Sequence, residues 1–134
     1  IFASHSGDGK MNTYPMRAVR TRHWKYIRNL DPKREHHTHV DRAADGDGKG
    51  YWNSWVRLAA TDTAAAGVVE RYHHRPAEEL YDLRTDPHEQ GNLASRSEHA
   101  AQLAELRHKV DAWMTEYGDS GADLAGPPAP RNRK

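Results

Sequence analysis

Glu79-Leu80-Tyr81-Asp82-Leu83-Arg84-Thr85-Asp86-Pro87-His88-Glu89-Gln90-Gly91-Asn92-Leu93-Ala94 decides how this chain is built. Its opening alternation predicts a strand over 79–83. Asp86-Pro87 stops that strand, because proline fixes its own φ and biases the residue before it away from helix. Asn92 can bond backbone close to it, and Leu93 can return to a core. An amphipathic helix comes next. Ala100, Leu103, Leu106, Val110, Trp113, Met114 and Tyr117 fall three or four apart and make one stripe. Ser95 and Glu98 have the spacing of a capping box, and Gly118 suits a helix C-terminus.

Toward the N-terminus, Met16 to Arg20 and Trp24 to Arg28 each alternate with period two. Only Thr21-Arg22-His23 separates them, which predicts an antiparallel hairpin with one buried face. Met16, Ala18 and Arg20 share one face of the first strand; Trp24, Tyr26 and Arg28 share one in the second. Asp31-Pro32 ends the hairpin. Residues 1–14 read as a strand end followed by the polar loop His5-Ser6-Gly7-Asp8-Gly9-Lys10. Residues 33–50 are charged and rich in His and Gly, so they read as loop. Trp52, Trp55, Val56 and Ala59 have helical spacing within 51–60, and 63–73 predicts a second short helix. The predicted fold class is α+β: a small antiparallel sheet of three to four strands packed against a long C-terminal helix, with two shorter helices. Residues 1–118 form the body. Residues 119–134, with three prolines, read as a disordered or extended tail.

The 134 residues suffice for one domain, and the net charge of +1 gives no bulk attraction to nucleic acid. Only 36% of residues are hydrophobic and 29% are charged, with a mean hydropathy of −1.05. The expected core is thin and rich in Trp and Tyr, as in a subdomain that leans on a larger partner. There is no cysteine, hence no disulfide and no thiolate chemistry. No apolar run approaches the roughly 18 residues of a membrane-spanning helix. The opening Ile1-Phe2-Ala3 reads as the interior of a longer protein.

The 79–94 block closely resembles the C-terminal signature of the sulfatase family, within the alkaline-phosphatase-like α/β superfamily. Tyr14 to Thr21 and Trp24 to Leu30 resemble the paired strands that open the family's C-terminal subdomain. Trp113 and Gly118-Asp119 fit as well. Within the family the chain is similar to the heparan N-sulfatase (N-sulfoglucosamine sulfohydrolase) group. That similarity lies in Phe2-Ala3, His5, Tyr14-Pro15-Met16-Arg17, the Trp52/Trp55 helix, Arg71-Tyr72 and 79–94. It implies hydrolysis of sulfate esters or sulfamates on sulfated glycans, by a formylglycine nucleophile with Ca²⁺, and an exported, periplasmic or lysosomal setting. It also implies an N-terminal catalytic domain as partner, a sulfated sugar as substrate, and no role for nucleic acid or membrane. The Cys/Ser-x-Pro-x-Arg motif that supplies formylglycine does not occur, and Pro128-Ala129-Pro130-Arg131 lacks the nucleophile. The family's paired calcium-binding aspartates and its Asp-Asn pair do not occur either. The chain alone is therefore expected to be inactive, with no catalytic or metal residue of its own.

The loop after His5 is the best candidate for contact with an anion. His5 and Lys10 offer cationic groups, and Gly7 and Gly9 let backbone N–H groups approach closely. By resemblance this loop overhangs the sulfatase cleft, so the substrate-binding candidates are His5, Lys10, Met11 and Asn12. Arg17 joins them as a strand cation, although for it and Arg20 pairing with a carboxylate such as Asp82 or Glu79 is the plainer reading. His37 and His39 project the same way on extended chain and could share an ion, but an exposed polar loop is the plainer reading. Asp45 to Gly50 begins like a calcium loop; Lys49 at its fifth position and Val56 at its twelfth rule that out. Tyr51, Trp52, Trp55 and Tyr72 read as core rather than as a sugar-stacking platform. Two other functions remain open: a free-standing module for anionic glycans, and part of a phosphonate or phosphodiester hydrolase.

Overall fold

The computed structural model describes residues 1–7, 12, 14–46 and 48–121. Its sheet contains β1 (Phe2–His5), β2 (Met16–Arg20), β3 (Trp24–Asn29) and β4 (Glu78–Asp82), adjacent in that order. Every pairing is antiparallel. Between β3 and β4 lie α1 (His39–Arg42), α2 (Lys49–Ala59) and α3 (Thr63–His73). A 3₁₀ turn, Ser97–His99, leads into α4 (Ala100–Glu116), which crosses β2 and β3. The α+β class and the hairpin are as the sequence predicts.

Register places the core. Val19 lies opposite Tyr26, and Tyr26 opposite Leu80. These three meet Leu103, Leu106 and Val110 of α4, with Trp24, Leu93, Ala94 and Met114 around them. Each such side chain stabilises by about 1.5–3 kcal/mol on burial. Polar groups fix the helix over the sheet. Arg107 donates Nε and Nη2 to the two Glu78 oxygens at 2.8 and 2.7 Å. The Tyr26 hydroxyl donates to Glu78 at 2.6 Å, and Arg28 to Asp111 at 2.5 Å. Trp113 is only half-buried; it stacks on Phe2 at the β1 edge.

The 79–94 stretch explains how β4 survives as an edge strand. Unpaired edge N–H and C=O groups need partners. Asn92 supplies them, accepting from Leu80 N and donating to Glu78 O, while Leu93 N donates to Leu80 O at 2.8 Å. Asp86 closes the turn by accepting from Gly91 N. At the far end of α4, Gly118 takes φ +64°, a conformation with little cost for glycine. Its N–H bonds Thr115 O and the Asp119 N–H bonds Met114 O, which is the paired bonding of a Schellman motif.

Three expectations need correction. The capping box at Ser95 and Glu98 does not form; the 3₁₀ turn starts the helix from Arg96 without a side-chain cap. Residues 33–50 are not all loop, because Thr38 and Asp41 cap α1 reciprocally. Tyr51 and Trp55 are not core: they are 78% and 45% exposed, because among the described residues α2 packs chiefly on α1 and α3.

Leu106 is fully buried at the centre of the helix–sheet contact. Leu106→Ala should cost about 2–5 kcal/mol in urea unfolding. An unchanged midpoint would show that α4 does not rest on the sheet.

Candidate functional site

β1 and β3 leave the sheet, and β2 and β4 enter it, at one end: His5 pairs with Met16, Met16 with Asn29, and Arg28 with Glu78. The β1–β2 loop, the segment after Asp31 and the α3–β4 link therefore converge there. Arg17 ties this end together. It is 3% exposed. Its Nη1 donates to His5 O and Met16 O at 3.0 and 2.9 Å. Its Nε and Nη2 donate to the Asp119 carboxylate, the second bond measuring 3.0 Å. The Arg17 guanidinium in turn holds the Asp119 carboxyl below its ordinary value.

The partner of Arg17 is thus neither Asp82 nor Glu79. Asp82 is held by Arg84, and Glu79 by Asn29 and Tyr81. Arg20, the other strand arginine, lies 3.8 Å from Glu89. Asp119, assigned to the tail by sequence, is fastened to β2, and Gly121 comes against Leu30. The structure brings His5, Asn12 and Arg17 to the same end of the sheet. Asn12 accepts from Tyr14 N at 3.3 Å. Lys10 and Met11 lie outside the described residues.

Rings continue away from the loop. Tyr14 meets His36 edge-on at 5.3 Å, His36 meets Tyr72 at 4.9 Å, and Tyr72 meets Trp52 at 4.5 Å. Burial pushes the Tyr14 hydroxyl up to about 12. His36 donates Nδ1–H to Tyr72 O at 3.0 Å. Burial, with the Arg75 charge second, holds its imidazole down at about 4, so it is neutral near pH 7. Beside this row a cleft of about 410 Å³ opens between α3 and β4, lined by Val68, Arg71, Arg75, Glu79 and Tyr81. Of its two carboxylates, Glu79 and Glu89, the first is 4% exposed and accepts from Asn29 at 2.7 Å and Tyr81 at 2.5 Å.

Four buried polar atoms lack hydrogen-bond partners among the described residues: His5 Nε2, Tyr14 Oη, Asn29 Oδ1 and Arg75 Nε. All four belong to this end of the molecule. Each costs about 1–3 kcal/mol while unpaired, so this is the least self-sufficient part of the fold. Glu78, Asp111 and Asp119 at this end are each engaged by an arginine. Neither formylglycine nor Ca²⁺ fits here. The precursor motif is absent, and Ca²⁺ takes about six to eight oxygens. Among the described residues the one cluster with ligand spacing is His37, Asp41 and His73, two imidazoles and a carboxylate.

The sequence offers Asp41, with Glu35, only as a nearby carboxylate that could complete a set with His37 and His39, and gives His73 still less support. The Thr38-x-x-Asp41 spacing of a capping box was a usable signal for Asp41. Nothing local points to His73, which the fold carries to His37 from a separate helix. The pairing of His37 with His39 is not what the structure shows: His37 turns to Asp41, and His36, expected on an exposed loop, is buried.

No family model matches the chain. It is 33% identical over 105 residues to an ulvan-active sulfatase of Formosa agariphila, covering 78% of this chain and 17% of that protein. It is 31% identical over 119 residues to the N-sulphoglucosamine sulphohydrolase of Homo sapiens, covering 89% of this chain and 23% of that one. The chain therefore spans about a fifth of the length of the curated relatives it matches. A solved structure from Bacteroides thetaiotaomicron, assigned as a sulfatase, shares the fold with a TM-score of 0.53 at 23% identity. The match covers 98% of this chain and 19% of that one.

Two sheltered groups of this row contribute to the dependence of stability on acid. His36 titrates at about 4 when folded against an ordinary 6.5, so the unfolded chain takes up its proton first and stability falls as pH drops from 6.5 toward 4. Burial alone would raise the Asp41 carboxyl. Bonds from His37, Thr38 N–H and Tyr72 outweigh burial and hold it at about 2. Its contribution is present above its ordinary 3.8 and is lost as pH falls toward 2. Urea unfolding across pH should show a shallower upper slope in His36→Gln and a shallower lower one in Asp41→Asn, where Asp82 and the other arginine-bound carboxyls keep a share. Slopes unchanged in both variants would assign acid unfolding to other groups.

Proposed function

The chain is a sulfatase-like C-terminal region, and from that premise we propose that residues 1–118 form one wall of the substrate cleft in a larger hydrolase of sulfate esters or sulfamates. The substrates are sulfated glycans, the class to which the names of the relatives point. The nucleophile and the Ca²⁺ ligands lie outside this chain, in an N-terminal catalytic domain beside which the sheet docks. This chain's own residues bind and orient the sugar.

The observation that carries this reading is the Arg17 clamp. A buried guanidinium holds the last residue of β1, the first of β2 and the turn after α4 at once. The β1–β2 loop is thereby presented from a rigid base, as recognition requires. His5, Lys10, Met11 and Asn12 meet the sugar from that loop, with His5 and Lys10 nearest its anionic groups. Arg17 serves the site from beneath, through the His5 carbonyl. A hydrogen bond to a charged group contributes about 1.5–3 kcal/mol. That is enough to select a sulfated sugar over its desulfated form, with no proton transfer asked of this chain.

In the full-length enzyme, Lys10→Ala and His5→Ala should each raise KM for a sulfated glycan by about tenfold or more, with kcat changed far less. The 134-residue chain alone should give no turnover of a chromogenic aryl sulfate above background. Metal-dependent turnover by that chain, or an unaltered KM in both variants, would overturn the reading. Retention of the chain on heparin at moderate salt, combined with unaltered kinetics, would instead identify a free-standing module for anionic glycans.

A further inference from the structure

We propose that His37, Asp41 and His73 form a binding site for Zn²⁺ or a similar divalent transition metal, independent of the sulfatase chemistry. One ligand atom from each residue lies within 4.8 Å of the other two. Two imidazoles and a carboxylate suit zinc and leave its fourth position open to water.

The surrounding bonds are those a metal site needs. His73 Nδ1 lies 3.0 Å from His36 O. A carbonyl only accepts, so Nδ1 carries the proton and Nε2 keeps its lone pair for the ion. His37 places Nδ1 at 2.5 Å from Asp41 Oδ2 and Nε2 at 3.1 Å from Glu35 Oε2. Nδ1 therefore faces the ion while Glu35 orients the ring from behind. The other oxygen of Asp41 accepts from Thr38 N–H at 2.7 Å and from the Tyr72 hydroxyl at 2.8 Å, leaving Oδ2 for the metal. Each ligand thus has the outer partner that metal-binding His and carboxylate groups use.

The Asp41 and His37 side chains are 5% and 20% exposed, so the site is sheltered yet reachable. Trp52 packs edge-on against His73 at 5.3 Å and forms an apolar wall. Tetrahedral zinc with bonds of ~2.0–2.1 Å places its ligand atoms ~3.3 Å apart. The widest gap must close by at most roughly 1.5 Å and the His37–Asp41 pair must open by roughly 0.8 Å, both within reach of χ rotations. The ion takes the place of the proton between His37 and Asp41, which passes to buffer.

Zn²⁺ titrated into the full-length protein, with a chromophoric chelator as competitor, should bind at this site, and Co²⁺ should give the visible bands of a tetrahedral site. Zn²⁺ should also raise the melting temperature of the wild type. His37→Gln and His73→Gln should each weaken binding by about a hundredfold or more, and Tyr72→Phe by about tenfold. His39→Gln, next to the cluster but outside it, should bind as the wild type does. Wild-type affinity no tighter than that of the His37→Gln/His73→Gln double variant would overturn the site. So would an equal loss on His39→Gln. A ligand variant that folds poorly leaves the Tyr72→Phe affinity and the Co²⁺ spectrum to decide. Neither depends on sulfatase turnover, so this site and the cleft reading can fail separately.

Discussion

Leu103, Leu106 and Val110 rest on Val19, Tyr26 and Leu80, and the rest of the molecule follows from that contact. Four strands of four to six residues do not hold together in water without a covered face. The helix supplies the cover, and it also sets direction. Arg107 on Glu78 and Arg28 on Asp111 fix how α4 lies across the strands. Gly118 then reverses the chain so that Asp119 reaches Arg17. Helix docking, helix termination and the clamp on the β1–β2 loop are thus successive parts of one arrangement.

The two ends of the sheet differ in kind. At the hairpin end Thr21 closes the turn through its own hydroxyl and backbone. At the other end three connections converge, and buried polar atoms of His5, Tyr14, Asn29 and Arg75 lack partners among the described residues. An end that leaves polar groups unpaired is a natural place for a neighbour or ligand. The same end carries the loop proposed to meet the sugar. The α1–α3 layer extends it outward as a ring row from Tyr14 to Trp52. Tyr51, Trp55, Val56 and Leu58 of α2 are exposed among the described residues.

Legibility followed the range of the interaction. The β2–β3 hairpin and the α4 stripe could be read because period two and period three-to-four spacing are local consequences of burial. Asn92 was recognisable as a backbone-bonding residue, although its target, the open edge of β4, was not. Arg17 was visible as a strand cation, but its partner Asp119 is 102 residues away and seemed to belong to a tail. The loop reading of 33–50 failed because a short capped turn such as Thr38 to Asp41 carries too little hydrophobic pattern to register. Core assignment of Tyr51 and Trp55 failed for a related reason. Helical spacing tells which residues share a face, and not whether anything lies against that face.

The amino-acid order by itself determined the strands, the long helix with its apolar stripe, the stop at Asp86-Pro87 and the glycine that ends α4. It also carried the sulfatase resemblance and the absence of a nucleophile motif. Those properties depend on neighbours a few positions apart, through backbone sterics and side-chain periodicity. Only the tertiary structure decided that Arg17 meets Asp119, that His36 is buried and neutral, and that His37, Asp41 and His73 come together. Each joins residues from separate elements, and their distances are set by how α4 and α3 pack. No local pattern encodes that packing, because it is the joint solution of burying one thin core.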